Sequence, residues 1–270
     1  MDRRLTQATA RVAHVSLRDT VAAPAYVEGQ SMQVALPLAD LLASPNCPRD
    51  RQLWLGETFT VIDRDQGHAF GFAAKDGYCG WLSESALTIG IAPTHWVASP
   101  ATHLYTAPKV QAPNPQALPM HARLTVTGQT GTWAETPLGF VPMAHLLPLG
   151  QRLTDPVAVA ETFLHTPYLW GGNSRAGLDC SGLVQGAYLA CGITLPADTD
   201  LIEPTLPAVN APFQRGDLIF WKGHVALVVD DLRLIHANGH TMSVAYENTA
   251  VCIARIVKAE GLTPLSYRRP

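Results

Sequence analysis

Pro167-Tyr-Leu-Trp-Gly-Gly-Asn-Ser-Arg-Ala-Gly-Leu-Asp-Cys-Ser-Gly-Leu183 sets a cysteine directly behind an aspartate and ahead of a run with helical apolar spacing. Leu183, Ala187 and Ala190 share one helix face, Asp179 is the candidate N-cap of a helix starting at Cys180, and Gly192 stands where such a helix would stop. A thiol at a helix N-terminus meets free N–H groups and a dipole that favour its anion. Asp179 opposes this by like charge, unless its carboxylate turns to the cap or to a ligand. A nucleophilic cysteine also needs a base within reach.

The base is sought downstream, where the period changes from 3.6 to 2. Asp217 to Trp221 and His224 to Val229 read as strands joined by a tight Lys222-Gly223 turn. The chain turns again at Asp230-Asp231 and returns through Leu234 to Ala237, which sets His224 opposite residue 237 or 238. His236 and Asn238 are then the two candidates for orienting the imidazole of His224, since opposed Cβ atoms in a ladder lie about 5 Å apart. Further strands are expected at Met242 to Tyr246 and Cys252 to Val257. Upstream, Asp155 caps a helix with Pro156 at its first position and Val157, Ala160, Phe163 and Leu164 as its apolar face. Residues 151–270 thus read as helices followed by an antiparallel sheet, an α+β domain.

The first 150 residues have a different texture. Phe59-Thr60-Val61 leads to Gly80-Trp81-Leu82 and Leu87; Leu124-Thr125-Val126 leads to Gly139-Phe140-Val141 and Leu146. The Gly-aromatic-apolar step and the seven-residue interval to a leucine recur, which suggests two small all-β units at 1–90 and 91–150. Lys109 to Pro119, with prolines at 113, 115 and 119, reads as a loop between strands.

Composition removes several classes. A net charge of −3 offers no electrostatic attraction to nucleic acid or an anionic membrane. Ser85 to Pro108 lacks charged side chains, but Pro93, Pro100 and scattered polar residues make strands and turns the expectation there, not a span. The start, MDRRLTQATARV, has no apolar stretch of a secretory leader, and five cysteines without a CxxC argue against a disulfide framework. A cytoplasmic protein is expected. His236 and His240 have no helical spacing that would make them a metal pair, so neither metal nor cofactor is expected.

Four stretches together resemble the NlpC/P60 cysteine peptidases: Pro167-Tyr-Leu-Trp-Gly-Gly172, Asp179-Cys-Ser-Gly-Leu183, Arg215-Gly-Asp-Leu-Ile-Phe220 with Gly223-His-Val225, and Leu234-Ile-His-Ala237. The resemblance spans about residues 155–257 and implies a papain-like catalytic domain. It assigns Cys180 as nucleophile, His224 as base, His236 as its orienter and Tyr168 as a neighbour of the thiol that helps hold the oxyanion. Asp76-Gly-Tyr-Cys-Gly-Trp-Leu82 resembles bacterial SH3 domains, which implies two small SH3-like β-barrels ahead of the catalytic domain. Members with this arrangement cut the γ-D-glutamyl–diamino acid bond of murein peptides that carry a free N-terminal L-alanine. By that resemblance Asp179 and Ser181 contact substrate from the catalytic domain, and Tyr78 and Asp50 from the SH3 part. A cell-wall amidase, an acyltransferase, or an inactive peptide- or glycan-binding protein on the same scaffold are the alternatives.

Overall fold

The computed structural model describes residues 1–270, which divide into two compact units, Met1–Gln151 and Arg152–Pro270. None of its helices is long and apolar enough to cross a membrane.

The first unit is built almost wholly of strands. Residues 30–88 form a seven-stranded sheet in the order Arg49–Trp54, Leu38–Leu42, Cys79–Ser83, His68–Ala73, Thr58–Asp65, Gln30–Val34 and Leu87–Thr88. Gly71 is required where two of these strands meet, since a Cβ there would lie 1.9 Å from the Thr60 carbonyl oxygen. Residues 95–148 form two three-stranded sheets and one two-stranded sheet around a core of Val97, Leu118, Ala134, Val141 and Leu146. The strands expected for the two β units are thus present, arranged as open sheets. The edges of the seven-stranded sheet do not pair with one another, and the second set of strands splits into separate sheets, whereas a barrel needs a continuous closed ladder. Within the expected proline loop, Gln116–Pro119 is a strand paired antiparallel to Ala101–Leu104. Pro119 is tolerated at its end, where a missing N–H costs little. The internal similarity seen in the sequence has a local counterpart. Cys79–Ser83 and Gly139–Pro142 each run into one 3₁₀ turn, Glu84–Ala86 and Met143–His145, before a strand restarts at Leu87 and Leu146.

The second unit carries a five-stranded antiparallel sheet in the order Ser243–Asn248, Arg233–Asn238, His224–Val228, Leu218–Trp221 and Ser266–Arg268. Alternation along these strands gives it two apolar faces. Ile219, Trp221, Ala226, Val228 and Leu234 pack with Cys252 and Ile256 of the helix Thr249–Glu260. The intervening Leu218, Phe220, Val225, Leu227, Ile235 and Ala237 are also buried, and the helix Cys180–Ala190 runs against the strands His224–Val228 and Arg233–Asn238. Each fully buried Leu, Ile or Phe of this double core contributes roughly 1.5–3 kcal/mol.

Three local expectations meet their structures here. Asp155 accepts from the Val157 and Ala158 N–H groups and caps Pro156–Glu161. The Lys222-Gly223 turn forms with Gly223 at φ +74° and Trp221 paired to His224. Cys252 to Val257, however, is helix rather than strand. The β-branched residues there favour a strand, but Asn248 caps the segment by accepting from the Val251 N–H. The i,i+4 pair Cys252 and Ile256 is what the sheet buries, and Gly261 ends the helix in the left-handed conformation.

Candidate active site

Cys180 is the first residue of its helix, and Asp179 is the cap. The Asp179 carboxylate organises the start of the helix. Its Oδ1 accepts from the Gly182 N–H at 2.6 Å and the Ser181 hydroxyl at 3.0 Å; its Oδ2 accepts from the Gly171 N–H at 2.8 Å. One side chain therefore pins the helix start to the preceding Gly-Gly turn. The close packing demands a glycine at 182, since a Cβ there would sit 2.5 Å from Asn173 Oδ1 and 2.6 Å from the Gly172 carbonyl oxygen. Gly182→Ala is expected to cost about 3 kcal/mol in urea unfolding, the scale of an overpacked core site, and to move the thiol. A change below about 0.5 kcal/mol would mean that the turn yields freely.

His224 opens its strand at the Lys222-Gly223 turn and is partly exposed, whereas the His236 side chain is wholly buried. The ladder between their strands forms at Leu227↔Ile235 and Val228↔Leu234 and opens beyond Leu227. In that opening the Val225 N–H, one residue from His224, donates to the Cys180 thiol rather than to a neighbouring strand. The split in the sheet brings Cys180 to the backbone of the residue that follows His224. His224 Nε2 lies 2.9 Å from His236 Nδ1, which leaves Nδ1 as the remaining ring nitrogen of His224. Asn238, the other sequence candidate for orienting the base, is turned to its own hairpin, where its amide donates to the Ser243 carbonyl and its oxygen accepts from the Thr241 N–H.

Burial dominates the electrostatics. It pushes the Cys180 thiol up to about 12, with the Asp179 charge adding in the same direction and the N–H groups of Val225 and Ser181 acting against it. It pulls His224 down to about 4. The resting pair is therefore neutral thiol and neutral imidazole. Tyr168 is raised by burial first and then by the surrounding Cys180 and Asp179 groups, so its phenol stays protonated.

His236 is pulled from its ordinary 6.5 down to about 3 by burial and then by His224. The charged groups facing it are Glu247 on the adjacent strand and Arg255 on the helix above. The unfolded chain, with an ordinary histidine, binds the extra proton more readily than the fold. Stability from this residue is thus complete above pH 6.5 and is lost as pH falls toward 3. At pH 5 the loss is about 2 kcal/mol. Urea denaturation of the wild type should show this decline between pH 7 and pH 5 together with a similar share from His224, and His236→Gln should roughly halve the total. Equal slopes in both proteins would refute the assignment.

His236, Glu247 and Cys252 place one donor atom each within 4.8 Å of one another, a spacing that a cation could use. Here Arg255 supplies the positive charge, with two nitrogens 2.8 Å from the two Glu247 oxygens. Sequence reasoning did not find Glu247 or Arg255, because it read the Arg255 segment as strand and so did not bring it over the histidines.

Other sequence candidates lie elsewhere. Trp170 of the Gly-Gly turn is 70% exposed. In the first unit, Tyr78 is only 2% exposed with the Arg51 guanidinium over its ring, and Asp50 is ion-paired with Arg3 at 2.7 Å. The expectation that these two hold substrate therefore meets two groups already engaged. Cys79 and Cys252 are buried, Cys191 is half-buried and Cys47 exposed, all as free thiols.

Comparison with known proteins matches residues 165–260 to the NlpC/P60 family and residues 41–87 to the bacterial dipeptidyl-peptidase SH3 domain. The catalytic unit is an NlpC/P60 domain. Dipeptidyl-peptidase 6 of Lysinibacillus sphaericus is 40% identical over 84 residues, 30% of this chain and 31% of the relative. The gamma-D-glutamyl-L-lysine dipeptidyl-peptidase of Bacillus cereus is 27% identical over 223 residues, covering 70% of this chain and 67% of the relative. The namesake from Bacillus subtilis is 29% identical over 60% of each chain. The chain thus spans about a third of the first of these relatives and about two thirds or less of the others. An NlpC/P60 family protein from Bacillus cereus has the same fold, with a TM-score of 0.75 at 22% identity over 89% of this chain and 99% of the other.

Proposed function

We propose that this NlpC/P60 protein is a cysteine peptidase that hydrolyses the bond between γ-D-glutamate and a diamino acid in murein-derived peptides with a free N-terminal L-alanine. The reading rests on the Cys180, His224 and His236 arrangement, with the thiol against the Val225 N–H and the two imidazoles 2.9 Å apart. The Cys180 proton passes to His224 Nδ1 as the sulfur attacks the γ-glutamyl carbonyl. The tetrahedral oxyanion takes hydrogen bonds from the Tyr168 phenol and from the backbone at the helix start. His224 then returns its proton to the departing amine as the C–N bond breaks. Water attacks the thioester, gives a proton to His224, and frees the dipeptide carboxylate and the thiol. No step calls for a metal or cofactor.

Asp179 accepts the substrate ammonium with Ser181. Relatives named for a γ-D-glutamyl-L-lysine dipeptidyl-peptidase support this substrate class. The peptides would come from wall turnover, in a cytoplasmic recycling step.

The test is hydrolysis of L-Ala-γ-D-Glu-meso-diaminopimelate and its L-lysine counterpart, beside N-acetylated copies, read by mass spectrometry. Release of the diamino acid from the free-amine peptides only is the expected result. Cleavage of the acetylated copies as well would remove the amine requirement. No cleavage of any of the four, by a folded protein, would overturn the substrate assignment.

A further inference from the structure

The relay does not stop at His236. Its Nε2 is buried, has no well-aligned hydrogen-bond partner, and lies 3.3 Å from Glu247 Oε2. A buried imidazole nitrogen without a partner costs about 1–3 kcal/mol, so this approach is the one that relieves it. Glu247 stands on Ser243–Asn248, the strand next to that of His236, and Leu234↔Glu247 is a register pair. Arg255, from the helix covering this face, binds both Glu247 oxygens. The guanidinium, and then the hydrogen-bond network around it, holds the Glu247 carboxyl down at about 2.

We infer that Glu247, fixed by Arg255, is a positioning residue of the reaction: it sets the proton positions of both active-site histidines. An ionised carboxylate only accepts hydrogen bonds. His236 must therefore carry its proton on Nε2 and present Nδ1 as a bare acceptor. His224 must in turn carry its proton on Nε2, donate it to His236, and leave Nδ1 unprotonated toward the thiol. That is the tautomer a general base requires. Two residues away from the sulfur, the charge of Glu247 thus decides whether His224 can act. The inference rests on the reading of His224 as base.

Glu247→Gln tests it. The change keeps shape, and the side chain is 16% exposed beside Arg255, so the fold should persist with little change in melting temperature. An amide, however, can donate. It favours His236 protonated on Nδ1, and this forces His224 to carry its proton on Nδ1, facing the thiol. Ring-nitrogen NMR of ¹⁵N-histidine protein without substrate should show Nε2 protonation of both residues in the wild type and a shift toward Nδ1 in the variant. With the tripeptide, kcat should fall about 10²- to 10⁴-fold, the range in which a wrong histidine tautomer acts, with KM within about threefold. Wild-type His236 protonated on Nδ1 would overturn the inference whatever the variant does. So would unchanged tautomers in Glu247→Gln, or a tautomer change that leaves kcat intact. The NMR result stands without activity, so failure of the peptidase reading alone would appear as the expected tautomers in a protein that cuts none of the peptides.

Discussion

Cys180→Ser will release no detectable diamino acid from L-Ala-γ-D-Glu-meso-diaminopimelate, a loss of at least about 10⁴-fold in kcat. The substitution is almost isosteric, and the Val225 N–H that donates to sulfur can donate to a hydroxyl equally well. Stability should hold within about 1 kcal/mol, so the loss is chemical rather than structural. Its origin is acidity. The resting thiol is already far from ionised, because burial and Asp179 both raise it. His224 has to draw off its proton as the carbonyl approaches, and a hydroxyl in the same place holds its proton far more tightly. Retention of more than about one per cent of wild-type kcat would show that Cys180 is not the attacking group. Product identity by mass spectrometry, set against a parallel melt, gives the answer.

The placement of Cys180, His224 and His236 was readable in the sequence because these residues sit at forced positions. Cys180 begins a helix whose cap, Asp179, is its neighbour. His224 follows a Lys-Gly turn that can adopt only a few geometries. The return of the chain at Asp230 limits the orienting residue to His236 or Asn238. Choosing between those two required knowledge that the ladder opens beyond Leu227, and strand alternation alone does not carry this. Glu247 and Arg255 were hidden for a different reason. Thr249 to Glu260 has the β-branched content of a strand, and only burial of Cys252 and Ile256 against the sheet makes it helix. With that segment misread, nothing brings a guanidinium over the histidines. In the first unit, alternating patterns located the strands and the repeated 3₁₀ turn. They could not reveal closure, which depends on edge pairing between residues far apart in the chain.

His224→Ala should lower kcat about 10³- to 10⁴-fold, and the double variant with Cys180→Ser should be no worse than Cys180→Ser alone, since groups that act as one unit do not contribute independently. A neutral His224 is the form that accepts the thiol proton. Burial holds its pKa near 4, so the wild-type kcat/KM should stay flat from neutral pH down to about 5 and fall only below that. The depressed value separates two mechanisms. If thiol and imidazole formed a standing ion pair, His224 would be protonated at neutral pH, and the ring would show its charged form in the free enzyme. Mutual neutrality instead makes proton transfer part of the attack, and this places the whole requirement on the tautomer of the ring. An acid limb near 6.5 would mean that water reaches the imidazole of the free enzyme. In that case the open end of the ladder at His224, rather than the wholly buried His236 behind it, would govern the pH range in which the enzyme works.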